Sequence, residues 1–339
     1  MIERSAVEVN LLRYAGASAL SEEERRLVLC GVDWVNGRFG RTQGDLAERC
    51  GLSASILSQF LAGSYAGDVH GAAAAIGGFV VRLENEGEVA ALEFVETTTW
   101  ARIKRAVDNA RFDKQPVLIF GESQMGKTAA LLHYQSLAPA SVRYYRCRGG
   151  MTHAGFVREL LRVWGVRSVP HANYDRIRAL YEKVKPSDTL LLDEVQLVLR
   201  LSASPVDSER IVEEIRSLYD ERRIGLAICG TRVASEALTT GRAAPLFAQL
   251  LRRCAKPVFV TGEVKVEDLR KFWQAAGLPE PERPERKSWL KRLVATEGLG
   301  AFVACIQRGR RKAIKSHQKM GWSHFDAAAK ENEELQNGN

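Results

Sequence analysis

The sequence predicts an α/β protein: a parallel sheet closed by a helical lid on its C-terminal side and preceded by an all-α segment. Three observations carry that prediction. Between residues 116 and 263, short apolar runs alternate with stretches of helical periodicity, the pattern of strands joined by crossover helices. A glycine-bearing loop at 121–128 falls between the first such strand and the first such helix. Outside 116–263 the strand pattern is missing, and apolar residues recur at helical spacing only.

In chain order, residues 1–85 read as short amphipathic helices broken by Gly and Ser. Within them QGDLAERCGLSASILSQFLA (43–62) fits a helix-turn-helix. Leu46 and Ala47 sit in the first helix, and Cys50, Gly51 and Leu52 make the turn, with Gly supplying the left-handed position. Ser53 caps a second helix whose Leu57 and Phe60 return to the core. Residues 86–115 form a connector and a helix. The core of 116–263 contains strands at 116–120 (PVLIF), 142–147 (VRYYRC), 189–193 (TLLLD), 224–229 (IGLAIC) and 257–260 (PVFV). Residues 264–320 read as a lid of three helices, the first two separated by PEPERPERK (279–287), and 321–339 as a polar, fraying tail.

Composition narrows the class. At 339 residues the chain has room for two or three domains, and 45% hydrophobic residues suffice for packed cores. No apolar run approaches the roughly 20 residues that span a bilayer, and MIERSAVEVN has neither the basic nor the apolar region of a signal peptide. Six cysteines are scattered without a CxxC or Cys/His cluster and read as small buried hydrophobes. These features predict a cytoplasmic, reducing-compartment protein with no membrane partner. The formal charge of +8 is unevenly spread: residues 1–100 hold 8 basic and 14 acidic side chains, residues 285–320 hold 10 basic and 2 acidic. Acid therefore lies in front and base near the back.

The chemistry begins at Gly121-Glu122-Ser123-Gln124-Met125-Gly126-Lys127-Thr128, a complete G-x-x-x-x-G-K-T loop, followed by Ala129 at the start of a helix. The glycines let the backbone approach a phosphate chain so that successive N–H groups face its oxygens, and the helix adds its positive end. Lys127 would reach the β- and γ-phosphates and the Thr128 hydroxyl would ligate Mg²⁺. Sixty-six residues after Lys127, the strand LLLDE ends in Asp193 and Glu194. Asp193 is placed to hold Mg²⁺, and Glu194 to polarise an attacking water, which favours ATP hydrolysis over phosphotransfer. IGLAICGTR brings Thr231 to the end of the next strand, where it either senses the γ-phosphate or forms an ordinary turn. PLFAQLLRRCAKP ends in Arg252 and Arg253, cations at a helix C-terminus or an arginine finger projected into a neighbouring subunit.

Taken together, SQFLAGSYAGD, FVET, GESQMGKT, LLLDE, RIGLAICGTR and FAQLLRRCAK resemble the family of the phage Mu transposition B proteins, AAA+ ATPases related to the ATPase subunits of Tn7-like and Tn5053-like transposons. The similarity spans roughly residues 25–315. It implies an ATP- and Mg²⁺-dependent, largely sequence-nonspecific DNA-binding protein of the bacterial or phage-infected cell, associated with the nucleoid. Members assemble as homo-oligomers on double-stranded DNA, in a helical filament or ring, select the target, recruit and stimulate a transposase, and are dismantled by hydrolysis. The resemblance assigns family roles to Lys127, Thr128, Asp193, Glu194 and, as arginine finger, Arg253. Thr231 stands where the Mu protein has Asn. Val303 stands where the family often places a second sensor arginine.

DNA-contacting candidates are Arg146 and Arg148 after the second strand, Arg167 and Arg176 around VRSVPHANYDR, and Arg310 and Arg311 in the basic run of the last lid helix. The second helix expected in the N-terminal motif exposes Ser55, Ser58 and Gln59 but no cation. Phosphate contacts supply most nonspecific DNA affinity, so the grip is expected on the ATPase rather than on that motif. The competing reading is a helix-turn-helix transcription regulator in which ATP controls a switch domain.

Overall fold

The computed structural model describes residues 2–36, 42–86, 92, 94–166, 168–240, 244–261, 263–316 and 318–336. Helices α1 (Arg4–Leu11), α2 (Glu22–Asn36), α3 (Gln43–Cys50), α4 (Ala54–Leu61) and α5 (Val69–Glu86) come first. Then α6 (Thr98–Phe112) leads into β1 (Val117–Gly121), α7 (Lys127–Leu137), β2 (Val142–Arg146), α8 (His153–Val163), α9 (Asn173–Lys183) and β3 (Thr189–Asp193). The alternation continues with α10 (Gln196–Leu201), α11 (Pro205–Arg222), β4 (Gly225–Gly230), α12 (Arg232–Thr240), α13 (Ala244–Leu251) and β5 (Val258–Val260). Helices α14 (Val266–Ala275), α15 (Pro284–Glu297), α16 (Leu299–Lys315) and α17 (Trp322–Gln336) follow.

Each strand expected from the sequence is present, its ends displaced by at most one residue. All neighbours in the sheet are parallel, in the order β2-β3-β4-β1-β5. Every residue of β1, β3 and β4 is buried, as a strand covered on both faces must be. The edge strands β2 and β5 are only partly buried. On one side, Phe156, Leu160 and Leu161 of α8 and Ile211, Ile215 and Leu218 of α11 pack with Leu190 and Leu192 of β3 and Ile228 of β4. α6 presses so closely on the start of β4 that a Cβ at Gly225 would lie 2.7 Å from the Ala110 carbonyl oxygen. The topology leaves β4 between β1 and β3, so the strands carrying the phosphate loop and the acidic pair are not neighbours.

The chain divides into two compact units: 1–93 with 275–279 and 305–339, and 94–274 with 280–304. In the first, Thr42 and Asp45 form a reciprocal capping box at α3, Gly51 turns the chain with φ +70°, and the Ser53 hydroxyl accepts from the Ile56 amide at the start of α4. Leu46, Leu57 and Phe60 are fully buried there, while Ser55, Ser58 and Gln59 are exposed. One expectation is corrected. Residues 322–336 are not a fraying tail but the helix α17, because Phe325, Ala328 and Ala329 recur at helical spacing and are buried. α17 also answers the basic run of α16: Asn332 Oδ1 accepts from Arg308 at 3.0 Å, and Glu331 pairs with Lys312. Part of the positive charge concentrated near the C-terminus is thus internally compensated. α15 begins with Pro284 in its first turn, where the missing N–H costs nothing, so part of the Pro/Glu stretch expected to separate the lid helices is itself helical.

Candidate nucleotide site

The loop 121–126 leaves the buried end of β1 and turns into α7. At Gly121 a Cβ would lie 2.1 Å from the Val260 carbonyl oxygen of β5, so only glycine permits that exit. Gln124 (φ +60°) and Gly126 (φ +82°) are left-handed, and this curls the loop around the N-terminus of α7. Lys127 is 9% exposed, and its ammonium donates to the loop's own carbonyl oxygens at Gly121 and Glu122. Among the described residues no carboxylate forms an ion pair with it. A buried cation whose partners are neutral carbonyls beside a helix N-terminus fits an anion, and phosphate supplies one. Lys127→Ala is therefore expected to weaken ATP binding by about 3 kcal/mol, roughly a hundredfold, in a fluorescent-nucleotide titration with the fold intact.

Asp193 ends β3 and is 1% exposed. Its Oδ2 accepts from the Thr128 hydroxyl at 2.7 Å and from the Tyr144 hydroxyl at 2.9 Å, and its Oδ1 accepts from the Glu194 amide at 2.9 Å. The loop thus reaches across β4 to bring the two expected metal-binding residues into contact. No group of three or more His, Cys, Asp or Glu side chains able to hold a metal occurs among the described residues. One carboxylate and one hydroxyl suit an ion that takes its remaining ligands from water and phosphate, as Mg²⁺ does.

Tyr144 was not among the sequence candidates. It lies on the same strand as Arg146, two residues before the end, and β2 pairs Arg146 with Asp193 in register. Burial, and then the charge of Asp193, push its phenol well above the usual tyrosine range, so it stays a donor. Tyr144→Phe should preserve the packing and loosen Asp193. The expected result is a severalfold rise in the Mg²⁺ concentration for half-maximal hydrolysis, with the rate at saturating Mg²⁺ nearly recovered.

Glu194 follows with φ +56°, a sparsely populated conformation for a residue other than glycine. The Gln196 amide donates to Glu194 Oε2, Arg146 Nη2 stands 3.7 Å from Oε1, and the Gln196 side-chain oxygen accepts from the Thr231 amide at 3.3 Å. Gln196, also unforeseen, therefore ties the carboxylate to the tip of β4. Thr231 is half-buried there, between the loop and the acidic pair. Arg232 stands 3.4 Å from Glu122 of the loop. A cavity of about 950 Å³ borders Glu122 and is lined by Thr98 and Arg102 of α6, Thr261, and Lys291 of α15, which is ample for a nucleoside. Its α6 wall is fixed by Asp268, whose buried carboxylate accepts from the amide and hydroxyl of Thr98.

The neighbouring thiols are inert. Burial, and then the charge of Asp193, hold Cys147 and Cys229 well above the usual thiol range.

Arg253 lies apart from this site. It follows α13 and pairs with Asp220 of α11, half-exposed, while the Ala255 amide donates to the Pro116 carbonyl oxygen just before β1. That places it at the opening end of β1, a strand length of roughly 15 Å from the loop at the other end. Of the DNA candidates, Arg148 is exposed, and Arg146 is exposed but engaged with Glu194. Arg176 donates to the Pro170 carbonyl oxygen at 2.7 Å and so braces its own loop. Arg310 and Arg311 are half-buried on α16, and Arg167 lies outside the described residues.

Residues 110–238 match the AAA domain family. The Mu-like prophage FluMu DNA transposition protein B of Haemophilus influenzae is 24% identical over 248 residues, covering 71% of this chain and 82% of that protein. The ATP-dependent target DNA activator B of Escherichia phage Mu is 26% identical over 253 residues, covering 70% and 74%. Among solved structures, the ORC2 protein of Aeropyrum pernix is similar with a TM-score of 0.47 and 16% identity, over 69% of this chain and 67% of its own.

Proposed function

We propose that the chain is an ATPase that serves DNA transposition by holding duplex DNA while ATP is bound, a reading that starts from the match of residues 110–238 to the AAA domain family. In this reading it assembles on the duplex as a filament or ring and presents it as target to a transposase, in the cytoplasm beside the nucleoid. Two relatives support the setting, one named a DNA transposition protein and the other an ATP-dependent target DNA activator. Among the described residues no helix is long and apolar enough to cross a membrane.

The observation that carries the assembled state is the position of Arg253. It stands a strand length from its own phosphate loop and half-exposed, which supports a role at a neighbour's ATP rather than its own. In the mechanism, the loop amides and Lys127 bind and orient the triphosphate. Thr128 and Asp193 would hold Mg²⁺, which would supply positive charge beside the phosphate oxygens. Glu194, steered by Gln196, accepts a proton from the attacking water, and Thr231 fixes the tip of β4 between loop and carboxylate. The partner's Arg253 completes charge stabilisation in the transition state. DNA contact falls to Arg148 and to Arg146, which a DNA phosphate would draw away from Glu194. The exposed face of α4 offers Ser55, Ser58 and Gln59 and no cation, which does not favour an operator-reading regulator.

Sedimentation and electron microscopy with duplex DNA test the reading. Ordered polymers with ATP that disperse with ADP support it, whereas a chain that stays monomeric on DNA with ATP overturns it.

A further inference from the structure

The start of α16 brings no charge to the phosphate loop. From Leu299, where α16 begins, the first cation is Arg308, roughly 14 Å along the helix. What it brings is backbone. The Gly300 amide donates to the Gln124 carbonyl oxygen at 2.9 Å. A Cβ at Gly298 would lie 2.8 Å from the Gln124 Cβ, and a Cβ at Gly300 would lie 3.1 Å from the Gln124 side-chain oxygen and 3.3 Å from its Cβ. Leu299 stands between the two glycines, with Cδ2 3.9 Å from where a Gly126 Cβ would be. Gly298-Leu299-Gly300 therefore forms a slot over Gln124, the left-handed residue in the middle of the loop, and only glycines on the lid side let the backbones approach this closely.

We propose that this interlock, Gln124 of the phosphate loop seated between Gly298 and Gly300 of the lid, positions the lid on the bound nucleotide and sets its residence time. The inference rests on the ATPase reading and concerns residues that touch the loop rather than the reacting atoms, so Gln124, Gly298 and Gly300 are positioning residues. Since Gln124 cannot change its backbone conformation without moving the Gly300 amide, closing the loop around phosphate and seating α16 become one event. Loss of the fit should speed nucleotide release and leave the catalytic groups in place.

The test sets two physical effects in opposition. Gly300→Ala lies in the first turn of α16, where alanine favours the helix, so α16 should become more stable. Its new methyl nevertheless crowds Gln124. In stopped flow with a fluorescent ADP, Gly300→Ala should release nucleotide about tenfold faster than the unmodified chain, while circular dichroism shows an unchanged or higher melting temperature. Gln124→Gly combined with Gly300→Ala moves the glycine to the other side of the contact, and its release rate should return to within about twofold of Gln124→Gly alone. The inference is overturned if Gly300→Ala releases nucleotide at the original rate, or if the two substitutions act independently. An unmodified chain that binds no nucleotide would instead sink the ATPase reading beneath it.

Discussion

Glu194→Gln should leave ATP bound and unhydrolysed, with the turnover number about a thousandfold lower. Glutamine keeps the length and shape of the side chain and can occupy the same left-handed backbone position, so the ladder from β3 through Gln196 to Thr231 is preserved. What disappears is the ability to take a proton from water. Lys127, Thr128 and Asp193 are untouched, so the affinity for ATP in a binding titration should stay within a fewfold of the original. On duplex DNA with ATP the variant should form polymers that persist for hours, because the event that dismantles them no longer occurs. Single-turnover hydrolysis measured beside nucleotide binding checks both halves. A variant that hydrolyses at an unaltered rate would remove Glu194 from the mechanism.

Arg253→Ala should also lower hydrolysis by about a thousandfold, but with a distinctive signature. Nothing in the subunit's own site changes, so ATP affinity is retained. In the isolated chain Arg253 is half-exposed and paired with Asp220, and a surface pair of this kind is worth at most about 1 kcal/mol. Assembly can therefore release it at small cost. Mixing decides the matter: Lys127→Ala subunits have an intact Arg253 and no functional loop, whereas Arg253→Ala subunits have the reverse. Each alone should be inactive, and a mixture should recover measurable hydrolysis where an intact finger faces an intact loop. If the mixture is as silent as its parts, the finger does not act between subunits.

The parts that were legible in the sequence are those written locally. The five strands are contiguous apolar runs, the phosphate loop is eight consecutive residues, and Asp193-Glu194 ends a strand at a suitable distance from Lys127. Capping at Thr42 and Ser53 and the turn at Gly51 likewise depend on near neighbours. Tyr144 and Gln196 were missed because their importance comes from register and fold. A tyrosine in VRYYR means nothing until β2 is laid beside β3 with Arg146 opposite Asp193. The seating of Gln124 joins residues far apart in the chain, and glycines in GLG carry no periodic signal. The helical signal of α17 is faint in the sequence because its buried residues Phe325, Ala328 and Ala329 stand in a polar setting, and such a face counts only once something packs on it. Arg176 looked like a free cation because sequence does not show that the Pro170 carbonyl has already claimed it.

The placement of β4 between β1 and β3 has a consequence for how such proteins can diverge. The span from β1, which leads into the phosphate loop, to β3, which ends in the acidic pair, equals two strand spacings, roughly 10 Å. That length is set by the hydrogen-bond ladder of the sheet, which any sequence of buried apolar residues reproduces. It behaves as a built-in gauge block. Surface helices, lid contacts and DNA-facing loops can drift around it without disturbing the alignment of Lys127, Thr128 and Asp193. The phage activator is 26% identical over 253 residues, and a sheet of the same strand order would carry the same spacing whatever the rest of its sequence.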